Sequence, residues 1–225
     1  PIIWHIMKMY AAHGITDFII CAGYKGYMIK EYFYNYFLHQ TDIEVKLKDN
    51  SCTFINNQAE DWTVKVIDTG ATTQTGGRLK RVRQYLDTNE AFCFTYGDGV
   101  GDINITESIA KYNENDALAL LTSYAPPNRF GLLKTEGNKV IEFAEKPESS
   151  DAMINAGFFV LSPKIIELID DDMSVWEQYP LNQLATTGEL IFYEHTGFWQ
   201  PMDTLRDKNM LEDMWQKDAA AWKVW

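Results

Sequence analysis

Ala91-Phe92-Cys93-Phe94-Thr95-Tyr96-Gly97-Asp98-Gly99 is an apolar run that ends in a carboxylate held between two glycines. The run reads as a buried strand, and the glycines let the backbone turn sharply and approach a ligand past the strand's carboxyl end. Open α/β sheets bind their ligands at that edge. An aspartate there suits Mg2+, a hard cation that takes one or two carboxylates and completes its shell with substrate phosphates. Gly-Asp-Gly is also a good turn sequence, and taken alone the turn is the commoner explanation.

Outward from this strand, helical and extended patterns alternate. Toward the amino end, Ile2, Ile3, Ile6, Met7 and Tyr10 have helical spacing, Gly14 closes that helix, and residues 18–21 form a strand. Doubly wound domains begin with a strand and a loop feeding the first helix; this sequence opens in the helix, so a first strand is expected to be missing from it. A second helix is predicted over residues 29–38, short strands or a hairpin over 43–47, 53–55 and 63–67, and a polar loop over 69–77. Leu79, Val82 and Leu86 carry a further helix.

Toward the carboxyl end the pattern predicts a helix over 105–112, a strand over 117–123 and a hairpin turning at Glu136-Gly137-Asn138. A buried strand at 157–161, helices at 165–169 and 180–185, a strand at 190–194 and a last helix from Thr204 to about Lys217 follow. The alternation predicts an α/β fold: a Rossmann-like, mostly parallel sheet with helices on both faces. One domain over residues 1–225 is expected, with a helical C-terminal segment from about residue 204.

Composition narrows the function. With 46% hydrophobic and 23% charged residues the chain is globular, and no apolar run reaches the ~20 residues that span a bilayer. A soluble, cytoplasmic protein with no membrane partner is expected. The net charge of −12 repels nucleic acid and requires local cations or a metal for phosphate-rich substrates. Cys21, Cys52 and Cys93 are odd in number and set in apolar runs, which suits reduced core thiols. His5 and His13 fall on the first helix and His39 and His195 near element ends, without metal-ligand spacing.

Four further segments can carry chemistry. The loop Thr69-Gly70-Ala71-Thr72-Thr73-Gln74-Thr75-Gly76-Gly77-Arg78 ends at a helix start, where free N–H groups and two glycines would admit an anionic group and Arg78 could reach a base or phosphate. A Thr-capped helix with a flexible entry explains it as well. In Glu145-Lys146-Pro147 the lysine would sit at a loop edge as a point charge for a sugar phosphate. Asn155-Ala156-Gly157 could offer Asn155 to a sugar hydroxyl, although a turn is the commoner cause. Asp203 precedes Thr204, and Thr204 with Asp207 fits a capping box, so Asp203 gains a functional reading only if it converges with Asp98 on one Mg2+.

The segments 4–10, 17–21, 23–27, Thr75-Gly76-Gly77-Arg78-Leu79-Lys80-Arg81-Val82 and 94–100 stand in one order along the chain. Arg129-Phe130-Gly131, Glu145-Lys146-Pro147, residues 155–161 and Phe198-Trp199-Gln200-Pro201-Met202-Asp203-Thr204 continue that order. Together they resemble the sugar-phosphate nucleotidyltransferase family, and within it the glucose-1-phosphate cytidylyltransferases, over essentially the whole chain. The resemblance implies the reaction of CTP with α-D-glucose 1-phosphate to give CDP-glucose and pyrophosphate, an entry step toward CDP-linked 3,6-dideoxyhexoses of bacterial O-antigens. It implies Mg2+ on Asp98 and Asp203, with Lys146 also catalytic. It places Gly97 beside the nucleotide and Thr73, Thr75, Gly76, Gly77 and Arg78 on the cytidine side. Arg129, Gly131, Glu145, Lys146 and Asn155 would surround glucose and its phosphate, and the assembly would be a homo-oligomer, a hexamer.

Members of that family begin with a strand and a loop Gly-Gly-x-Gly-Thr-Arg-Leu, followed by Lys-Pro-Lys-Pro, and this sequence starts after both. If these 225 residues were the complete polypeptide, much of the CTP site would be lacking and little or no activity is expected. Two other classes remain open at this point: a metal-dependent glycosyltransferase, disfavoured because Asp98 and Asp102 do not form Asp-x-Asp, and a sugar-nucleotide-binding relative without catalysis.

Overall fold

A computed structural model describes residues 1–126, 132–136, 139–144 and 153–225. In chain order the elements begin α1 (Ile2–Ala11), β1 (Asp17–Ala22), α2 (Gly26–Tyr34), α3 (Tyr36–His39), β2 (Asp42–Lys46), β3 (Ser51–Ile55), β4 (Thr63–Asp68) and α4 (Thr75–Arg81). They continue with β5 (Phe92–Thr95), β6 (Gly99–Gly101), α5 (Ile105–Asn113), β7 (Ala119–Tyr124), β8 (Leu132–Glu136) and β9 (Lys139–Ala144). The last are β10 (Ile154–Leu161), α6 (Tyr179–Thr186), β11 (Leu190–His195), β12 (Trp199–Pro201) and α7 (Leu205–Gln216). Short 3-10 turns cover Arg83–Tyr85 and Pro163–Leu168. The chain divides into two compact units, one of Pro1–His13, Ala91–Ser162 and Leu184–Trp225, the other of Gly14–Glu90 and Pro163–Gln183.

The first unit is built on a four-stranded sheet in the order β11-β7-β10-β5. β11 runs parallel to β7, whereas β10 is antiparallel to both β7 and β5, so three strands share one direction and β10 opposes them. Phe158, Phe159, Val160 and Leu161 of β10 are all buried, as are Ala119 and Leu120 of β7. Strands buried on both faces read as continuous apolar runs, which is why this one was visible in the sequence. α1 buries Ile6, Met7, Met9 and Tyr10, and the Tyr10 ring stacks on Phe158 with centroids 6.1 Å apart. α7 is held at its start by the expected capping box: Asp207 N–H donates to Thr204 Oγ1 at 3.2 Å, and Thr204 N–H donates to Asp207 Oδ2 at 3.0 Å.

In the second unit β1 and β4 pair in parallel over their full lengths, from Asp17 with Thr63 to Ala22 with Asp68. β2 and β3 form an antiparallel hairpin that leaves Ile43, Val45 and Phe54 exposed. Leu79, Val82, Ile165, Ile166, Ile169 and Trp176 are buried.

Several local expectations shift. The predicted helix over 29–38 is two helices broken at Asn35, whose backbone N–H and side-chain amide both donate to the Glu31 carbonyl at 3.0 Å. The helix of Leu79, Val82 and Leu86 ends at Arg81 and tightens into a 3-10 turn, and the segment after Pro163 is 3-10 throughout. His13 lies just past the end of α1. Cys52 is exposed on β3 rather than in a core; Cys21 and Cys93 are half-buried, and burial pushes their thiols up to about 11 and about 12, which keeps them protonated and unreactive. Among the described residues no helix is long and apolar enough to cross a membrane.

Leu161 is fully buried where β10 pairs with both Phe92 and Ala119. Leu161→Ala is expected to cost about 2–5 kcal/mol of stability, measured by urea unfolding.

Candidate active site

β5 ends at Thr95, the chain turns through Gly97 at φ +91°, and β6 begins at Gly99. β12 lies antiparallel to β6, pairing Trp199 with Gly101, Gln200 with Val100 and Pro201 with Gly99. One step beyond this ladder the Met202 N–H donates to the Asp98 carbonyl at 2.9 Å. Asp98 therefore stands opposite Met202, and Asp203 is the next residue along. Both aspartates are exposed. The Asp98 carboxyl is held above the ordinary carboxylate range, first by the protein around it and then by the negative charge of Asp203. The second cause exists only because the two carboxylates are near neighbours.

Two adjacent carboxylates are a hard-oxygen donor set, and their mutual repulsion is what a divalent cation relieves. Among the described residues no group of three or more His, Cys, Asp or Glu side chains is placed to hold a metal. The pair therefore fits a cation that takes its remaining ligands from phosphate oxygens and water.

Asn155 sits where β10 bulges: Asn155 pairs with Ser123, the register then skips, and Phe159 pairs with Leu121. Its side chain is used at both ends, donating from Nδ2 to the Tyr96 hydroxyl at 3.2 Å and accepting from the Gly157 N–H at 2.8 Å. The Trp199 indole N–H donates to the Ala156 carbonyl at 2.8 Å. Tyr96 and Trp199 thus join the bulge to the two segments that carry Asp98 and Asp203. Neither was singled out from the sequence, where an aromatic side chain in an apolar run carries no signal of its hydrogen-bond partner.

The loop over 69–78 belongs to the other unit. The Thr69 N–H and hydroxyl both donate to the Ala22 carbonyl, at 2.8 and 3.0 Å, and Arg78 Nη1 donates to the Thr69 hydroxyl at 2.7 Å. A Cβ on Gly23 would come within 2.6 Å of Arg78 Nη2, so the guanidinium lies against that glycine, where β1 and β4 both end. Thr73 is buried. The Thr75 hydroxyl donates to Glu177 Oε2 at 2.8 Å and accepts from the Trp176 N–H at 2.9 Å.

The segment 172–176 packs against the start of α4. The Gln74 and Gly77 N–H groups donate to the Asp172 and Ser174 carbonyls, at 2.8 and 3.1 Å. A Cβ on Gly77 would lie 2.5 Å from the Asp172 carbonyl oxygen, and one on Gly76 would lie 2.7 Å from that of Ser174. These two N–H groups are thus satisfied by the protein itself, and the glycines admit another stretch of its backbone. Of the expected residues, Gly97, Asp98, Asn155 and Asp203 fall in one unit and Thr73, Thr75, Gly76, Gly77 and Arg78 in the other. Arg129, Gly131, Glu145 and Lys146 lie outside the described residues.

Residues 1–191 match the model of the nucleotidyl transferase family. The chain belongs to that family. This nucleotidyl transferase is 55% identical over 225 residues to the glucose-1-phosphate cytidylyltransferase of Salmonella typhi, spanning all of this chain and 88% of that protein. Among solved structures it is similar to HddC from Yersinia pseudotuberculosis complexed with GMP-PN, with a TM-score of 0.67 at 19% identity over 96% of this chain and 85% of that one. The UTP-bound UGPase of Acinetobacter baumannii gives a TM-score of 0.64 at 13% identity, covering 99% and 85%. The fold of this nucleotidyl transferase is that of nucleotide-diphospho-sugar transferases.

Two outcomes test the site's physics. Protonation of Asp98 stabilises the fold below the ordinary carboxylate range of about 4, and that contribution is lost as the pH rises through its raised value. Asp98→Asn is therefore expected to raise the melting temperature at pH 7 and to lose that advantage at pH 3, read by thermal melts across the range. Gly77→Ala is expected to cost about 1–3 kcal/mol in chemical unfolding, because its methyl group meets the Asp172 carbonyl.

Proposed function

We propose that this nucleotidyl transferase is a glucose-1-phosphate cytidylyltransferase, joining CTP and α-D-glucose 1-phosphate into CDP-glucose and pyrophosphate. The observation that carries the reading is the 55% identity to the Salmonella typhi enzyme over the whole of this chain. The paired carboxylates of Asp98 and Asp203 support it on chemical grounds. The glycosyltransferase and binding-only readings are not favoured, since the relatives that span the whole chain at 55% identity are glucose-1-phosphate cytidylyltransferases.

A phosphate oxygen of glucose 1-phosphate bonds to the α-phosphorus of CTP, and the bond from that phosphorus to the bridging oxygen of the β-phosphate breaks. The nucleophile is already an anion, so no strong base is needed; the barrier lies in bringing anions together in line. A divalent cation is a general requirement of the family, and Mg2+ suits a pair of hard carboxylate oxygens. Bound there, the cation would neutralise charge on the phosphates as they rearrange. Asp98 and Asp203 would hold and orient it. Lys146 supplies positive charge to the sugar phosphate, with Arg129, Gly131, Glu145 and Asn155 around the sugar. Gly97, Thr73, Thr75, Gly76, Gly77 and Arg78 line the nucleotide side. Residues 1–225 acting as one nucleotidyltransferase domain, and assembly into a homo-oligomer, a hexamer, belong to the same proposal and rest on the family resemblance.

In the protein as its gene encodes it, Asp98→Asn and Asp203→Asn are each expected to slow CDP-glucose formation by about 10²-fold or more, followed as pyrophosphate release. Chelation of divalent metal should abolish turnover and Mg2+ restore it; undiminished turnover in both variants would refute the carboxylate assignment.

A further inference from the structure

The ladder that sets Asp98 against Asp203 is short. β6 and β12 pair over only three positions, and one of the three is Pro201, which has no N–H to donate. A slip of one residue in such a pairing would turn every side chain to the opposite face and part the two carboxylates. Something beyond the ladder has to hold its register.

At the end away from the carboxylates, Asp102 and Phe198 are joined twice. The Asp102 N–H donates to the Phe198 carbonyl at 3.1 Å, and the Phe198 N–H donates to Asp102 Oδ1 at 2.6 Å. The carboxylate stands in for a backbone carbonyl and adds one more rung. His195 Nε2 lies 2.9 Å from the Phe198 carbonyl and 3.2 Å from Asp102 Oδ1. Both neighbours are acceptors, so Nε2 carries the proton and donates to the pair, and the interaction needs no charge on the imidazole. His195 is buried and ends β11, where it pairs with Tyr124 of β7, so the clasp is anchored to the four-stranded sheet. A Cβ on Gly197 would overlap Asp102 Oδ1 and lie 2.8 Å from His195 Cε1, so only glycine lets the clasp close. The Phe198 ring stacks on the buried Trp222 with centroids 5.8 Å apart, which fixes the strap from its other side.

We propose that Asp102, with His195 and Gly197, is a positioning residue for the reaction: its clasp on Phe198 fixes the register of β12 on β6 and so sets Asp98 and Asp203 at the separation that binds a divalent cation. This rests on the reading of those two aspartates as the metal pair.

The test follows Mn2+ binding to the full protein with CDP-glucose present and pyrophosphate absent, read as loss of the free-ion paramagnetic resonance signal, alongside the Mg2+ dependence of kcat. Asp102→Ala is expected to weaken Mn2+ about 10-fold or more, the range found when partners behind metal ligands are removed. Asp102→Asn keeps an oxygen acceptor for the Phe198 N–H and should stay within about twofold of the parent protein, a rescue that generalised loss of stability would not produce. Should Asp102→Ala fail to fold, Gly197→Ala, which retains both polar side chains but crowds them apart, carries the same expectation. Asp98→Asn separates the two levels of the argument. If it leaves Mn2+ affinity unchanged, the metal reading falls and the clasp's role with it. If it weakens Mn2+ while the clasp variant binds like the parent, the clasp proposal alone is overturned.

Discussion

The three-residue pairing of β6 with β12 is the constraint on which the first unit's chemistry depends. It joins two segments about a hundred positions apart in sequence and leaves Asp98 and Asp203 as neighbours at its end. Bringing two carboxylates together costs stability: burial first, and then the negative charge of Asp203, push the Asp98 carboxyl up. The surroundings over-determine the arrangement to hold it. Backbone rungs bracket the ladder on both sides, and Trp199 and Phe198 are tied by an indole hydrogen bond and a ring stack. Functional sites commonly store unfavourable interactions that the rest of the fold sustains.

The loop over 69–78 shows the same principle with a different outcome. Its glycines and threonines have the composition of a ligand-binding loop, and the structure gives most of them a folding task as well. Gly76 and Gly77 admit the backbone of 172–176, Thr75 bridges Glu177 and Trp176, and Arg78 lies on Gly23 with its charge directed to Thr69. A glycine needed for close approach does not specify what approaches, whether a phosphate or a neighbouring strand of protein.

Much of the architecture was legible beforehand. The capping box of Thr204 and Asp207, the hairpin turning between β8 and β9, the buried run of β10, and the stop at Gly188 all rest on interactions among residues a few positions apart, whereas the apolar run of β5 forms its strand but is only half-buried. The break at Asn35 was not visible, since its side-chain bond back to the Glu31 carbonyl forms only once a helix has formed around it. The reversal of β10 within a sheet of otherwise common direction was also hidden, because an apolar run is the same whichever way the strand points. Cys52 resembles a core residue in its apolar run, yet it sits on an exposed hairpin.

The sequence by itself determined the α/β class, most of the elements, the family resemblance and the candidate residues, because periodicity, capping and motif order are properties of neighbouring residues. Only the tertiary structure decided that Asp98 stands beside Asp203, that Asn155 bonds to Tyr96 and Gly157, and that Asp102, Gly197 and His195 form one clasp. Those relations depend on which strands pair and in what register, and register is set by long-range contacts whose partners no local pattern names.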